Sequence, residues 1–272
     1  MMIPSSTDNN YYSTIFLLTL KSFDIKKIVA FAGFALLSVG AFAQTNLQFF
    51  YDLGKDRKMV TTTLEMFKGD DWGSTFFFVD YDYFNKDYRD EEVAGVKIHP
   101  NTYGARSSYF EIARSLNFWQ ESSLGALSAH IEFNGGVGFG SRNWLFGAEY
   151  FLHNDDFSNT FTFELLYKTF KGSESHLPLQ FTFVWGMQNI FGVEGLKFSG
   201  FCDLWGEDGP YADKDKRQNS LIFISEPQLW YNVGQFFGCE NLSAGCEVEL
   251  SSNFAGNQGF MCNPCLGLKW DF

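Results

Sequence analysis

Between Asn159 and Gln188 the chain carries the same pattern twice, and that pattern limits what it can fold into. In Phe161-Thr162-Phe163-Glu164-Leu165-Leu166-Tyr167-Lys168 the odd positions are all large and apolar, and the even ones are mostly polar. After a polar break, Leu179-Gln180-Phe181-Thr182-Phe183-Val184-Trp185-Gly186-Met187-Gln188 repeats the parity. A period of two sends alternate side chains to opposite faces of a strand. Rows of Phe and Trp on one face suit a sheet whose outside touches lipid and whose inside touches water. A mean hydropathy of −0.14 does not oppose this, because lipid-facing and lumen-facing residues average out along each strand.

Segments with this character fall at 46–52, 59–67, 72–83, 103–116, 124–134, 143–153, 159–168, 177–188, 195–205, 219–231, 239–251 and 264–272. The predicted fold is all-β: a transmembrane antiparallel up-and-down barrel of about twelve strands, an even number as in bacterial single-chain barrels. With both termini on the periplasmic side, every second connection is a periplasmic turn. Those breaks are short: 68–71, 117–123, 154–158, 189–194 and 232–238. The opposite set includes the long 84–102, 206–218 and 252–263. Gly, Asn, Asp and Ser recur in the breaks, as turn geometry favours.

Ahead of the strands, Lys26-Lys27 precedes the apolar run from Ile28 to Val39 and then Gly40-Ala41-Phe42-Ala43. A charged region, an apolar run and an A-x-A site form a secretion signal, cleaved before Gln44. The run is too short for a membrane span, which needs about 20 apolar residues. The expected organisation is residues 1–43 as a signal peptide with an N-terminal extension and 44–272 as one barrel domain. No Cys follows the cleavage site to carry a lipid anchor. A secreted barrel of this kind belongs in the outer membrane of a Gram-negative bacterium, with lipid around it.

The formal net charge of −12 argues against nucleic acid as a partner. The cysteines are Cys202, Cys239, Cys246, Cys262 and Cys265, an odd number, so at least one is unpaired within the chain. Cys262-Asn263-Pro264-Cys265 lacks the second C-x-x-C that a zinc site would need. It reads as a local disulfide or two free thiols near a loop end. No metal ligand set and no cofactor is predicted.

Parity and charge together assign the faces. Charges are costly against lipid, so Asp80 points into the lumen and takes Phe76, Phe78 and Asp82 with it. The same argument turns Glu65, Glu111, His130 with Glu132, Glu149, Glu164, Lys197 with Asp203, Glu226, Glu247 with Glu249, and Lys269 inward. The lumen is predicted to be acidic, with a few Lys and some aromatics.

Trp72-Gly73-Ser74-Thr75-Phe76-Phe77-Phe78-Val79-Asp80-Tyr81-Asp82-Tyr83, Tyr109-Phe110-Glu111-Ile112-Ala113-Arg114 and the closing Trp270-Asp271-Phe272 resemble the nucleoside-specific channel-forming outer-membrane family (Tsx-like). The specific motif covers the first third of the mature chain, and beyond Leu124 the likeness is one of architecture. The resemblance implies a monomeric twelve-stranded barrel with a narrow lumen that passes nucleosides. It supports a pore role for Phe76, Phe78 and Asp80, and together with Asp82, Glu111, Glu132 and Glu149, turned inward by parity and charge, these are the residues expected to line the pore and meet the solute. An alternating last strand ending in Phe272 also resembles the signal read by the barrel assembly machinery.

Nucleoside chemistry fits such a lining. An aromatic ring stacks on a base for about 1–3 kcal/mol without reading its identity, and carboxylates accept ribose hydroxyls. The competing readings are a structural or adhesive barrel whose lumen is plugged by the same side chains, and a lipid-modifying membrane enzyme. For the enzyme, a Ser with a His at the membrane interface is required. The histidines are His99, His130, His153 and His176, no G-x-S-x-G occurs, and Gly138-Phe139-Gly140-Ser141 reads as a loop. No catalytic residues are predicted.

Overall fold

The structure is a computed structural model. It describes residues 43–55, 57–83, 92–93, 96–97, 105–137, 142–169, 175, 177–208, 219–255 and 257–272. The secretion signal expected before Ala43, the 84–102 loop apart from two short pairs, the 138–141 loop, and His99 and His176 lie outside the described residues.

Twelve antiparallel strands are present among the described residues. They are β1 (Ala43–Asp52), β2 (Val60–Asp70), β3 (Gly73–Tyr83), β4 (Ala105–Leu116), β5 (Leu127–Val137), β6 (Asn143–His153), β7 (Asn159–Lys168), β8 (Leu179–Gln188), β9 (Leu196–Asp208), β10 (Asn219–Ser225 continued by Gln228–Tyr231), β11 (Leu242–Ser252) and β12 (Phe260–Asp271). Each strand pairs with its sequence neighbours, and β1 pairs with β12 through Asn46↔Asp271 to Asp52↔Cys265, which closes the sheet. A closed barrel leaves no edge strand to satisfy, the condition for crossing lipid with strands. A further small pairing joins Glu92–Val93 to Val96–Lys97.

The register keeps each face uniform. One inward row runs Glu65↔Phe78↔Glu111↔Asn134↔Asn143 across five strands, and the adjacent outward row runs Leu64↔Val79↔Phe110↔Gly135. Burial is inverted relative to a water-soluble protein. Asn46, Gln48, His130, Glu132, Glu164, Lys168, Gln180, Glu249 and Lys269 are buried, whereas Phe49, Leu64, Ile112, Phe146, Leu165, Tyr167, Phe181, Leu204, Leu268 and Trp270 are exposed. Water cannot account for a continuous exposed apolar band. A hydrocarbon surround can, so the inverted pattern is that of a transmembrane barrel.

Three boundaries differ from the sequence reading for local reasons. The strand expected at 124–134 begins at Leu127, because Trp119 to Leu127 forms successive turns closed by Ser122 N to Trp119 O, Gly125 N to Ser122 O and Leu127 N to Leu124 O. The last strand starts at Phe260, four residues before its expected start, so the expected 252–263 loop shrinks to 253–259. Pro264 does not break it, since this position only accepts: Leu53 N donates to Pro264 O at 2.9 Å. The strand expected as one run at 219–231 is interrupted at Glu226-Pro227, yet Cys202↔Ser225 and Ser199↔Gln228 share one register, so Glu226 stays inward.

The C-x-x-C now lies wholly within β12. Residues three apart on a strand face opposite sides: Cys262 is exposed, Cys265 is buried in the lumen, and both are free thiols. The local disulfide left open by the sequence is therefore not formed.

Candidate functional site: the barrel lumen

The lumen has two unlike walls. On β3 and β4 the inward side chains are half-buried and form an aromatic run beside carboxylates. The Phe76 and Phe78 rings lie 6.0 Å apart, and Phe78 lies 5.9 Å from Tyr109 on the neighbouring strand. These aromatics follow from Phe78↔Glu111 and Asp80↔Tyr109 pairing, which sets ring and carboxylate side by side on one face. Asp80 accepts from Thr63 Oγ1 at 2.5 Å, while Asp82 accepts from Thr61 Oγ1 and Ser107 Oγ at 2.7 Å each. Tyr109 donates to Glu111 at 2.5 Å. Asp80 and Asp82 are thus oriented by hydroxyls on adjoining strands and Glu111 by Tyr109 two residues along its own strand, and each keeps acceptor capacity toward the lumen.

On β5, β6 and β7 the wall is closed. His130, Glu132, Glu149 and Glu164 are all buried and converge. His130 Nδ1 lies 3.2 Å from Glu149 Oε2 and 3.8 Å from Glu164 Oε1, and its Nε2 lies 3.7 Å from Glu132 Oε2. Glu132 Oε1 accepts from Asn134 at 3.0 Å, and Glu149 accepts from Ser115 Oγ. Gly147, opposite His130 on β6, lets the β7 backbone approach closely, since a Cβ there would meet Leu165 O at 2.0 Å. Leu145 and Leu166, both fully buried, pack on this same wall.

Toward the end bearing the longer loops, the carboxylates of several strands meet one guanidinium. Arg57 pairs with Asp52 at 2.7 Å and with Glu249, and its field also reaches Glu226, Glu247 and Asp82. Arg57 lies in the connection after β1, outside the spanning strands, and Glu249 and Asp52 hold its charge more firmly than in water. Lys168 donates to Gln180 at 2.8 Å and lies 3.8 Å above the Trp205 ring. At the short-turn end, Lys197 and Lys269 face inward, the latter 4.6 Å from the ring of Trp230.

The seven residues named from the sequence separate into two groups in the structure. Phe76, Phe78, Asp80, Asp82 and Glu111 form the half-buried β3–β4 wall. Glu132 and Glu149 belong to the closed wall with His130 and Glu164. The sequence reading did not single out the inward apolar residues, although parity puts Leu166 on the face of Glu164 and Lys168 and Trp230 on that of Glu226. Trp205, Ile222 and Ile224 cluster with Phe201 and Phe254, and Trp230 packs on Phe50 and Cys265. Pairing of Glu149 and Glu164 with His130 was also invisible, since it depends on cross-strand register. Only the His130-Ile131-Glu132 alternation could have hinted at it.

The Ser115–Glu149–His130 chain does not have the order needed for nucleophile activation. There the imidazole must stand between serine and carboxylate, whereas here the carboxylate stands between the other two.

A closed twelve-stranded sheet, apolar outside and acidic within, defines a porin-like transmembrane β-barrel. The chain belongs to a family described as a domain of unknown function (DUF5020), whose model matches residues 43–272. No curated protein sequence matches it. Among solved structures, the NanC porin superposes with a TM-score of 0.50 at 7% identity, covering 84% of this chain and 100% of that one. The KdgM porin gives 0.46 at 10% identity, covering 84% and 99%. The outer-membrane channel DcaP of Acinetobacter baumannii gives 0.37 at 11%, covering 84% and 72%. At 7% identity the likeness to the NanC porin is one of fold alone. The family model that matches is DUF5020 and not the nucleoside-specific channel family, so the substrate class implied by residues 72–83 belongs with the proposal that follows.

Proposed function

We propose that this protein is an outer-membrane channel of a Gram-negative bacterium for passive uptake of small polar solutes, with nucleosides and deoxynucleosides as the leading class. The observation that carries the reading is the half-buried run of Phe76, Phe78 and Tyr109 beside Asp80, Asp82 and Glu111. The rings offer π-faces to a base. Carboxylates already oriented by Thr61, Thr63, Ser107 and Tyr109 accept hydroxyls from a sugar. Resemblance of residues 72–83 to the nucleoside-specific channels supports the same class. The barrel inserts as a monomer, with Phe272 exposed at the tip of the last strand for the assembly machinery.

Single-channel recording on the refolded barrel tests this. Thymidine or adenosine at increasing concentration is expected to reduce the ionic current saturably, and Phe78→Ala to weaken that block about 5- to 150-fold, the loss of roughly 1–3 kcal/mol of stacking. A current that no nucleoside alters would refute the substrate class.

A second reading rests on the inward apolar groups. Trp230, Trp205, Ile222, Ile224 and Leu166 fill lumenal space, and a barrel plugged this way serves a structural or adhesive role. It predicts no conductance at all, whereas a channel specific for another solute conducts without nucleoside block.

A further inference from the structure

We infer that the closed wall of the lumen is a binding site for one divalent first-row transition-metal cation, held by His130 Nε2, Glu132 and Glu164. One ligand atom from each of these three buried residues falls within 4.8 Å of the others. Carboxylates often gather without an ion, so the argument rests on the imidazole. His130 is almost fully buried, and its Nε2 has no hydrogen-bond partner. A buried ring nitrogen left unsatisfied is costly and demands an explanation.

The geometry around it supplies one. Glu132 Oε2 stands 3.7 Å from Nε2, too far for a hydrogen bond. Two donors each about 2.0–2.2 Å from a common ion stand roughly 3.4 Å apart in tetrahedral geometry. Glu132 is held in that pose from behind by Asn134, which takes only Oε1. On the other side of the ring, Nδ1 faces Glu149 Oε2 at 3.2 Å, and Ser115 anchors that carboxylate in turn. A metal-bound histidine characteristically gives its second ring N–H to a carboxylate, which fixes the tautomer and the ring plane. Here both features are present: a free nitrogen facing Glu132, and a tethered nitrogen facing Glu149, with Glu164 within reach of the ring through its Oε1, 3.8 Å from Nδ1.

Charge points the same way. Three carboxylates surround one imidazole, and a dication offsets the excess that a protonated ring cannot. Lys168, on the same face of β7 as Glu164, is engaged by Gln180 and the Trp205 ring instead. Imidazole with carboxylates selects Zn²⁺, Ni²⁺, Fe²⁺ or their neighbours rather than Ca²⁺ or Mg²⁺, which take oxygen donors. The ligands come from β5 and β7 and their support from β4 and β6, so the ion would tie four adjacent strands together. The site stands whether or not the lumen conducts nucleosides.

The test uses the refolded barrel in detergent, stripped with chelator, dialysed against trace Zn²⁺ and measured for bound metal by elemental analysis. About one equivalent is expected in the wild type and in Glu65→Gln, a lumenal change away from the cluster. It is expected to be lost in His130→Ala and Glu132→Gln, and Glu149→Gln should bind 10–100-fold more weakly. Heat-modifiable gel mobility verifies folding. If His130→Ala does not fold, ¹⁵N-imidazole spectra of the wild type replace it, with a Zn²⁺-dependent change expected at Nε2 of His130. Co²⁺ absorption separates this site from the five cysteines. Absence of bound metal, retention of it in the folded His130→Ala or Glu132→Gln variants, a cobalt–thiolate band, or an unresponsive Nε2 each overturns the inference.

Discussion

Replacing Trp230 by Ala tests whether lumenal packing, and not only lipid contact, holds this barrel closed. Trp230 is fully buried, although it faces the lumen of a polar barrel. Its indole has room because the two residues next across the sheet are Gly245 and Gly267, and a Cβ on either would stand 2.6 or 2.8 Å from the ring. It reaches Phe50 on β1 at 5.6 Å between centroids, so one side chain from β10 spans β11 and β12 and touches the strand that closes the circle. Its Nε1 donates to Gln228 at 2.8 Å, and Lys269 lies over its face. A buried Trp hides about 150–250 Å², worth roughly 4–6 kcal/mol at about 25 cal/mol per Å². Water entering the vacated space recovers part of this, so the expected loss is about 3–5 kcal/mol, in the range of Trp→Ala changes in cores. Equilibrium urea unfolding in lipid vesicles, read by gel mobility, measures it. The same variant should raise single-channel conductance, because the indole occupies lumen cross-section. A loss under about 1 kcal/mol would refute the packing argument, since that is the cost at a site already wet.

Asp80→Asn should reduce the preference of the channel for cations over anions, as removing a carboxylate does in cation pores. In the wild type a nucleoside should block better than its phosphate, which carries about −1.5 to −2 charges, and reversal potentials with the two blockers measure both effects. In intact folded barrels a maleimide should label Cys262 and spare Cys265, and equal labelling would contradict the assigned parity of β12. In the β6–β7 turn, Asp156 is held below the usual carboxylate range, chiefly by the Ser158 backbone N–H at 3.0 Å. A depressed folded value means that the turn is supported above the unfolded range of about pH 4 and loses that support as pH falls through the folded value. The protection of the Ser158 amide, with the intrinsic pH dependence of exchange divided out, should therefore fall on acidification in the wild type and show no such fall in Asp156→Asn.

Sequence alone determined the part of this protein that depends on period and charge. A period of two fixes which residues share a face, and the cost of a charge against lipid fixes which face is inside. Asp80, Glu111, Glu132, Glu149, Glu164 and Lys269 could therefore be placed in the lumen before any coordinates. Strand number was legible for the same reason, because turn residues punctuate the alternation. What tertiary structure decided is everything set by register across strands. That His130 gathers Glu132, Glu149 and Glu164 depends on how β5, β6 and β7 slide past one another, and a slide leaves the parity of each strand's own sequence unchanged. Trp230 fits inside against its polarity because Gly245 and Gly267 leave space for its ring. A local pattern records which way a side chain points. Only the closed sheet records what it meets.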